Sequence, residues 1–380
     1  MTMIVEQVFS MMGGSGENSY AKNSRLQEKA VIMTKPLVEE AVREICKTLP
    51  EKLVVADLGC SSGPNTLLLL SQIINTVDEY CCSLSRQKPE IQFYLNDLPD
   101  NDFNTMFQLS VQYQKKFREE KGDKYEPFYV VGSPGSFYKR LFPSKSVQLF
   151  HSSYSLMWLS QVPKGLKDEA FDHFNRTAIY INNESSSILS HLYLEQFKTD
   201  FSDFLKSRSK ELISGGSMIL SFLGRSDIQS SGELIYLWGL LAEALSAMVS
   251  EGLVEEDKLK DFNLPIYAPL MEEVRSIITM EGSFHLKQAQ SFESNWDPFD
   301  ESYENFVEDK SSSGRNVAKY IRAVVGPLAA SHFGDDILED LFSRYAKNVS
   351  RHMYNGKPKY TVFILVLKLK GEVQAHRGCK

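Results

Sequence analysis

The sequence predicts an α/β protein, an open mixed sheet flanked by helices, with a helical cap inserted before the last strand. Three observations carry that prediction. Short apolar runs of strand length alternate with helical patterns over the first 224 residues. The first run, Val54 to Leu58, feeds a turn with glycines at 59 and 63 and then an apolar helix from about Leu67 to Val77, which is the opening of a βαβ unit. Between Arg225 and about Asn355 the pattern becomes mostly helical, and the chain then returns to a strand at Tyr360–Leu367. A strand that must rejoin the first sheet makes the helical block an insertion, so the expected division is 1–224 plus 356–380 as core and 225–355 as cap. A pocket between sheet and cap is the expected binding site.

Residues 1–30 read as a loop-rich lead-in, with a turn cluster at Gly13-Gly14-Ser15-Gly16-Glu17-Asn18-Ser19-Tyr20. From Ser24 to about Leu49 the pattern is helical, in two segments divided by Lys35-Pro36. Leu26, Ala30 and Met33 recur at helical spacing in the first, and Leu37, Ala41, Ile45 and Leu49 in the second. Gln27 is polar among apolar neighbours and by itself reads as solvent-facing. Ile91 to Leu98 is a second strand ending in an acid, Asp97, followed by a turn or helix start at Asp100-Asn101-Asp102. The run Lys115 to Glu126 is charged and exposed. Phe128–Val131 and Val147–His151 are further strands, and Ile179-Tyr180-Ile181 reads as a fifth, short one. A helix over 189–208 precedes the strand Met218–Phe222. In the cap, Leu234, Leu237, Trp238, Leu241, Leu245, Met248 and Val249 share one stripe, and helices over 317–330 and 336–353 follow.

The turn after the first strand admits four readings. Cys60-Ser61-Ser62 spoils a dinucleotide fingerprint. Gly59-Cys60-Ser61-Ser62-Gly63 fits a nucleophile elbow, and Asp57, Gly59 and Gly63 fit the first loop of an S-adenosylmethionine (SAM) methyltransferase. A plain strand-to-helix turn is the fourth. A hydrolase needs an acid and a His after Ser61. Of the seven histidines only His332 sits in a credible late loop, and no HGGG-type oxyanion loop precedes Ser61, so that reading recedes. Asp97 at a strand end suits ribose hydroxyls or a helix cap.

Composition excludes several classes. The net charge of −7 disfavours a nucleic-acid partner. No apolar run approaches the ~20 residues of a membrane span, and no basic segment followed by an apolar core marks a signal peptide. Five cysteines without a metal or redox spacing fit a reducing compartment, so a cytoplasmic location is expected. The matches to the glycosylation pattern at Asn175, Asn183 and Asn348 are then chance.

Longer stretches carry a specific resemblance. They are Gly13–Tyr20, Ala56–Asn65, Leu95-Asn96-Asp97-Leu98-Pro99, Pro134-Gly135-Ser136-Phe137-Tyr138, His151–Pro163, Phe262-Asn263-Leu264-Pro265 and Asn316–Asp336. On these the chain resembles the plant SABATH family of SAM-dependent carboxyl methyltransferases, enzymes of secondary metabolism that act on salicylate, benzoate, jasmonate or xanthine alkaloids. The resemblance covers essentially the whole chain. It implies a Rossmann-like methyltransferase core, a helical cap, an N-terminal lid segment and a homodimer. Carried over by position, it implies SAM contacts from Tyr20, Ser24, Asp57, Cys60, Asn65, Asp97, Leu98, Ser136 and Phe137. It implies an acceptor pocket of Gln27, Tyr154, Met157, Trp158, Leu237, Trp238, Tyr267 and Ile321.

The chemistry so implied is coherent. The methyl group of SAM is already activated on a sulfonium, and a carboxylate acceptor is ionised at neutral pH, so no general base is required. The protein must align oxygen, methyl carbon and sulfur and exclude water, leaving S-adenosylhomocysteine (SAH) and a methyl ester. The Gln27 amide and the Trp158 indole can donate to the carboxylate without a counter-charge.

Three departures from the family pattern bear on the acceptor. Met12 stands where relatives often carry Lys. Met157 matches salicylate-type members, where jasmonate, xanthine and many benzoate types have His, but their second clamping Met is Ile321 here. Some members bind a structural magnesium; Asn175, Phe262 and Asn263 match that segment, while Lys260 replaces its acid. The expected substrate is a small aromatic acid of the salicylate, benzoate or anthranilate type. Nitrogen methylation of a xanthine or nicotinate, and a catalytically silent SAM-binding protein, are the alternatives.

Overall fold

The structure is a computed structural model that describes residues 9–48, 50–122, 125–166, 178–181, 187–226 and 232–371. In order, the helices and strands are α1 (Tyr20–Asn23), α2 (Arg25–Lys47), β1 (Lys52–Leu58), α3 (Asn65–Ser83), β2 (Glu90–Asp97), α4 (Phe103–Lys121), β3 (Phe128–Pro134), β4 (Val147–Ser153), α5 (Ser187–Glu211), β5 (Leu212–Gly224), α6 (Gly232–Ser250), α7 (Glu256–Asp261), α8 (Met271–Glu281), β6 (Phe284–Asn295), α9 (Lys310–Phe333), α10 (Leu338–His352) and β7 (Lys359–Leu369). The strands form one seven-stranded sheet in the order β3-β2-β1-β4-β5-β7-β6. The first five are parallel, and β7 runs antiparallel to both β5 and β6.

The central strand β1 is buried along nearly its whole length, as a parallel strand covered on both faces must be. Its alternate residues feed two cores. Leu53 and Val55 pack against α2, α3 and α4, while Val54, Ala56 and Leu58 join the larger core shared with α5 and the cap. Strand order reverses between β1 and β4, so a crevice opens at their carboxyl ends. Helix α2 crosses from one core to the other. Val31, Val38 and Val42 pack with α3, whereas Leu26 and Ala30 reach the larger core beside the crevice.

Four expectations need correction. The chain over 25–47 is one continuous helix with Pro36 inside it. Proline removes one intrahelical N–H, but the residue four positions back, Ile32, is exposed and its carbonyl can be hydrated. The buried stripe then runs through Ala30, Val31, Thr34 and Val38, which leaves Met33 exposed. Ile179–Ile181 is irregular rather than a strand, although the Ile179 carbonyl accepts the Leu264 N–H. The block 225–355, expected to be mostly helical, also contains a strand that the pattern did not show: 284–295 forms β6 at the sheet edge. An edge strand shows water one face and one side. Its period is weak in sequence, and a register shift between Leu286 and Gln288 breaks the alternation further.

Candidate functional site

The crevice holds an open cavity whose empty space, with the solvent at its mouth counted in, is about 1030 Å³. It is closed above by α6 and α9 and on one side by the strap that precedes α1. The Met12 N–H donates to the Ala323 carbonyl of α9, and the Met12 carbonyl accepts the Tyr20 N–H. The Gly14 N–H reaches Asp102, whose carboxylate also caps α4 through Thr105. The strap thus ties the cap to the core and places Phe9, Ser10 and Met11 on the cavity wall.

At one end the wall is built from strand termini. Gly59 has a φ of 78° and sits against Ser155, whose Oγ a Cβ at this position would strike. Its N–H and that of Cys60 both donate to the Asn96 carbonyl. Ser61 follows with a φ of 54°, fixed by its N–H bond to one Asp97 oxygen and by the Asn101 side chain on its carbonyl. The other Asp97 oxygen accepts the Leu98 N–H. Burial lifts the Asp97 carboxyl to about 6 against the lowering pull of these two N–H groups, and the neighbouring charge of Asp57 adds to the rise. Tyr20, Leu98, Ser136 and Phe137 complete this end.

The other end is aromatic and apolar. Tyr154, Met157, Trp158, Leu237, Trp238 and Ile321 line it. The Trp158 ring packs 4.5 Å from Phe9 and 6.4 Å from Trp238, centroid to centroid. Gln27 projects into the cavity from the first turns of α2 and is only 8% exposed, so its neighbours do not make it a surface residue. Its Oε1, the Trp158 Nε1 and the Trp238 Nε1 are buried without a protein hydrogen-bond partner. Buried polar atoms are normally paired, so these three are placed to meet a ligand. Tyr320 and Tyr360 also line the cavity, with their hydroxyls bonded to each other. Among the described residues no Lys, Arg or His lines it.

Several residues named from the sequence stand behind the wall rather than on it. Asp57 is the cross-strand partner of His151 and bonds its Nδ1 at 2.8 Å, both side chains being buried. The Asn65 amide donates to the Ser24 carbonyl, which fixes the start of α2, and with it Gln27, to the turn after β1. The Cys60 thiol is buried and pushed well above its usual value by desolvation. Tyr267 is buried with its hydroxyl on Glu273 and its ring under Arg225, while its N–H holds the Met157 carbonyl. The side chains of these polar residues satisfy the scaffold, as buried groups must, and none of the residues lines the cavity.

The wall residues to which motif reading gave no role include Phe9, Met11, Tyr138, Tyr320 and Tyr360. The apolar pair Phe9 and Met11 beside a glycine cluster was a signal for the strap. The rest carry none that periodicity could expose. His332, the candidate hydrolase histidine, donates to the Lys258 carbonyl and packs on Phe262, away from the cavity.

The segment proposed for magnesium fits that ion poorly. The Phe262 ring is packed against Phe333, Asn263 is buried, and Lys260 is engaged with Glu256 and Asp257. Asn175 lies outside the described residues. An ammonium where a hard cation needs an oxygen ligand disfavours the site.

Comparison with known proteins places this geometry. The profile described as SAM dependent carboxyl methyltransferase matches residues 6–370. The chain is 45% identical over 379 residues to anthranilate O-methyltransferase 1 of Zea mays, covering 97% of this chain and 98% of that one. It is 46% identical over 373 residues to probable jasmonic acid carboxyl methyltransferase 1 of Theobroma cacao, covering 97% and 100%. Among solved structures, loganic acid methyltransferase with SAH superposes with a TM-score of 0.81 at 30% identity, covering 96% of this chain and 99% of that one.

Proposed function

The chain belongs to the SAM-dependent carboxyl methyltransferases, and from that premise we propose that it methylates the carboxylate of a small aromatic acid of the anthranilate, salicylate or benzoate class. The observation that carries this reading is the pairing of Gln27 and Trp158. Each side chain is buried, each lines the cavity, and each carries a polar atom with no protein partner. The Trp158 indole N–H is a free neutral donor to a carboxylate, and Gln27 adds a second through its amide NH2 once its unpartnered Oε1 is turned away from the acceptor.

Asp97, Leu98, Ser136 and Phe137, which line the cavity at the strand ends, would hold SAM, with the Asp97 carboxylate as an acceptor for its ribose hydroxyls. When bound it supplies an activated methyl group. The protein's share is alignment and water exclusion. Neutral donors suit this reaction better than a fixed cation. An Arg or Lys would stabilise the ionic ground state more than the charge-dispersed transition state. No base is needed, which agrees with a wall free of Lys, Arg and His among the described residues.

The cap is read as 225–283 and 296–355. A homodimer and a cytoplasmic location are part of the proposal. The four described cysteines are unpaired, and no described helix is long and apolar enough to cross a membrane. Sedimentation or light scattering of the purified protein reads the oligomeric state directly.

A second reading rests on the Tyr320–Tyr360 hydroxyl pair, which gives the cavity another polar feature. It favours a longer acid with a second polar atom, as in the acceptor named for the cacao relative. Purified protein with labelled SAM and a panel of aromatic, keto and heterocyclic acids decides. Methyl ester from an aromatic acid supports the first reading. Faster turnover of a keto acid supports the second, and a xanthine or nicotinate methylated faster than every acid overturns both. SAM binding by calorimetry with no turnover on the panel makes the chain a silent binding protein.

A further inference from the structure

The loop after β3 is held in an unusual way. Three successive carbonyls are taken by two residues of α5. Arg208 donates to Phe137 at 2.9 Å and to Lys139 at 2.7 Å, and Ser207 donates to Tyr138 at 3.4 Å. Two successive N–H groups, Leu141 and Phe142, donate to Glu211 at 2.6 and 3.0 Å. Arg208 and Glu211 are wholly buried, lie 2.7 Å apart as an ion pair, and do not line the cavity. Burying an ion pair is costly in free energy; here Arg140 adds a further bond to Glu211 at 3.1 Å, and the bonds of the two buried ions hold the loop in one arrangement.

What the clamp presents is Tyr138. Its ring meets Phe137 edge-on at 4.8 Å, on the cofactor side of the cavity, and its hydroxyl donates to the Trp158 carbonyl at 2.5 Å. The segment 157–159 is also held from the cap, through Leu159 to Pro265 and Tyr267 to Met157, and from its own flanks, through the Trp158 N–H on the Ser155 carbonyl and Ser160 on Asp200 of α5. Tyr138 thus braces the acceptor wall from the core side. We propose that Tyr138, fixed by the Arg208–Glu211 clamp, is a positioning residue that transmits cofactor occupancy at Phe137 to the orientation of Trp158.

The inference rests on the proposed placement of the cofactor against Phe137 and takes SAH as its probe. The chain has three tryptophans, Trp158, Trp238 and Trp296. Protein labelled with 5-fluorotryptophan gives one fluorine resonance for each, with Trp158→Phe identifying the first. SAH is expected to shift the Trp158 resonance in the parent. In Tyr138→Phe most of that shift is lost, while SAH affinity stays within about twofold, because the ring remains on the cavity wall and the hydroxyl removed is spent on the Trp158 carbonyl. An equal shift in Tyr138→Phe, or none in the parent, overturns the proposal. A merely structural Tyr138 would lower the thermal midpoint and leave the Trp158 response intact, which also overturns it. Arg208→Lys keeps the charge and loses the fork that spans two carbonyls. It should weaken SAH and shrink the Trp158 shift together; if neither changes, the clamp has no such role. With an acid that is turned over, Tyr138→Phe is expected to lower kcat/KM for the acid by about tenfold, the upper value of one neutral hydrogen bond, with little change in the KM for SAM. Failure of every acid on the panel removes the substrate reading and leaves the fluorine result to stand or fall alone.

Discussion

Asp97 holds the Ser61 N–H at 2.7 Å, so the carboxylate expected to receive the cofactor's ribose also fixes the left-handed turn that makes room for the cofactor. One residue joins the two halves of that end of the site. Because burial lifts its pKa to about 6, its charge is within reach of mild acid.

The first prediction follows from that value. Ribose hydroxyls need an ionised acceptor, so SAH affinity is expected to fall as pH drops through about 6. Asp97→Asn should bind SAH about 10- to 100-fold more weakly at pH 8, the loss of hydrogen bonds to a charged group, and its affinity should not change with pH in this range. Stability responds in the other sense. The folded-state pKa lies above the ordinary 3.8, so this carboxylate costs stability at neutral pH and that cost is relieved as pH falls from about 6 towards 4. Calorimetry at a series of pH values reads both effects. A pH-independent SAH affinity in the parent would remove Asp97 from the cofactor site.

The second prediction separates scaffold from ligand contact at Asp57. Its bond to His151 locks β1 to β4 at the switch point. Asp57→Asn is therefore expected to lower the thermal midpoint, with a loss of roughly 1–3 kcal/mol for a buried bond disturbed. SAH affinity of the folded variant should change little. A variant that keeps its stability but loses SAH would make Asp57 a cofactor ligand after all.

These two acids show what the sequence could and could not reveal. Both stand at strand ends near a glycine turn, and that placement was legible from the pattern alone. Which of them faces the cavity was not, because it depends on the register of β4 against β1, which puts His151 opposite Asp57. Gln27 was misleading for a related reason. A polar residue on a helix reads as exposed unless it is known that α2 passes its first turns into a second core. Strand β6 escaped because an edge strand of mostly polar residues has little hydrophobic signal. Tyr138 is bonded to a residue 20 positions away, through a main-chain carbonyl that no side-chain pattern encodes.

The third prediction concerns the carboxylate donors. Gln27→Glu nearly preserves shape and sets a buried carboxylate against the acceptor's own. Activity with the preferred acid is expected to fall at neutral pH and to recover partly in mild acid, as the introduced carboxylate takes up a proton. Trp158→Phe removes the unpaired indole N–H and keeps most of the ring contact with Phe9. It should lower kcat/KM by about 1.5–3 kcal/mol, the value of a hydrogen bond to a charged group. Steady-state kinetics across pH check both. Parent-like rates in both variants would mean that the carboxylate is held elsewhere.

The last prediction is about selectivity. Met157 comes from the segment after β4 and Ile321 from α9, and both line the apolar end of the cavity. A thioether on one side and a branched, shorter side chain on the other shape a slot for a flat ring, with less grip than two methionines would give. Met157→His adds a polar ring and a donor at that wall. It is expected to shift preference away from ortho-hydroxylated acids, towards acceptors with a polar atom near the imidazole. Ile321→Met should shift the ranking towards salicylate. Each change in relative kcat/KM should be on the order of 1–3 kcal/mol, as for other single-group changes in a pocket. The effects need not add, since the two side chains share one cavity. If both variants rank the acid panel as the parent does, the acceptor ring does not lie between these residues. The carboxylate would then be held by Gln27 and Trp158 with the ring directed elsewhere, towards the Tyr320–Tyr360 pair.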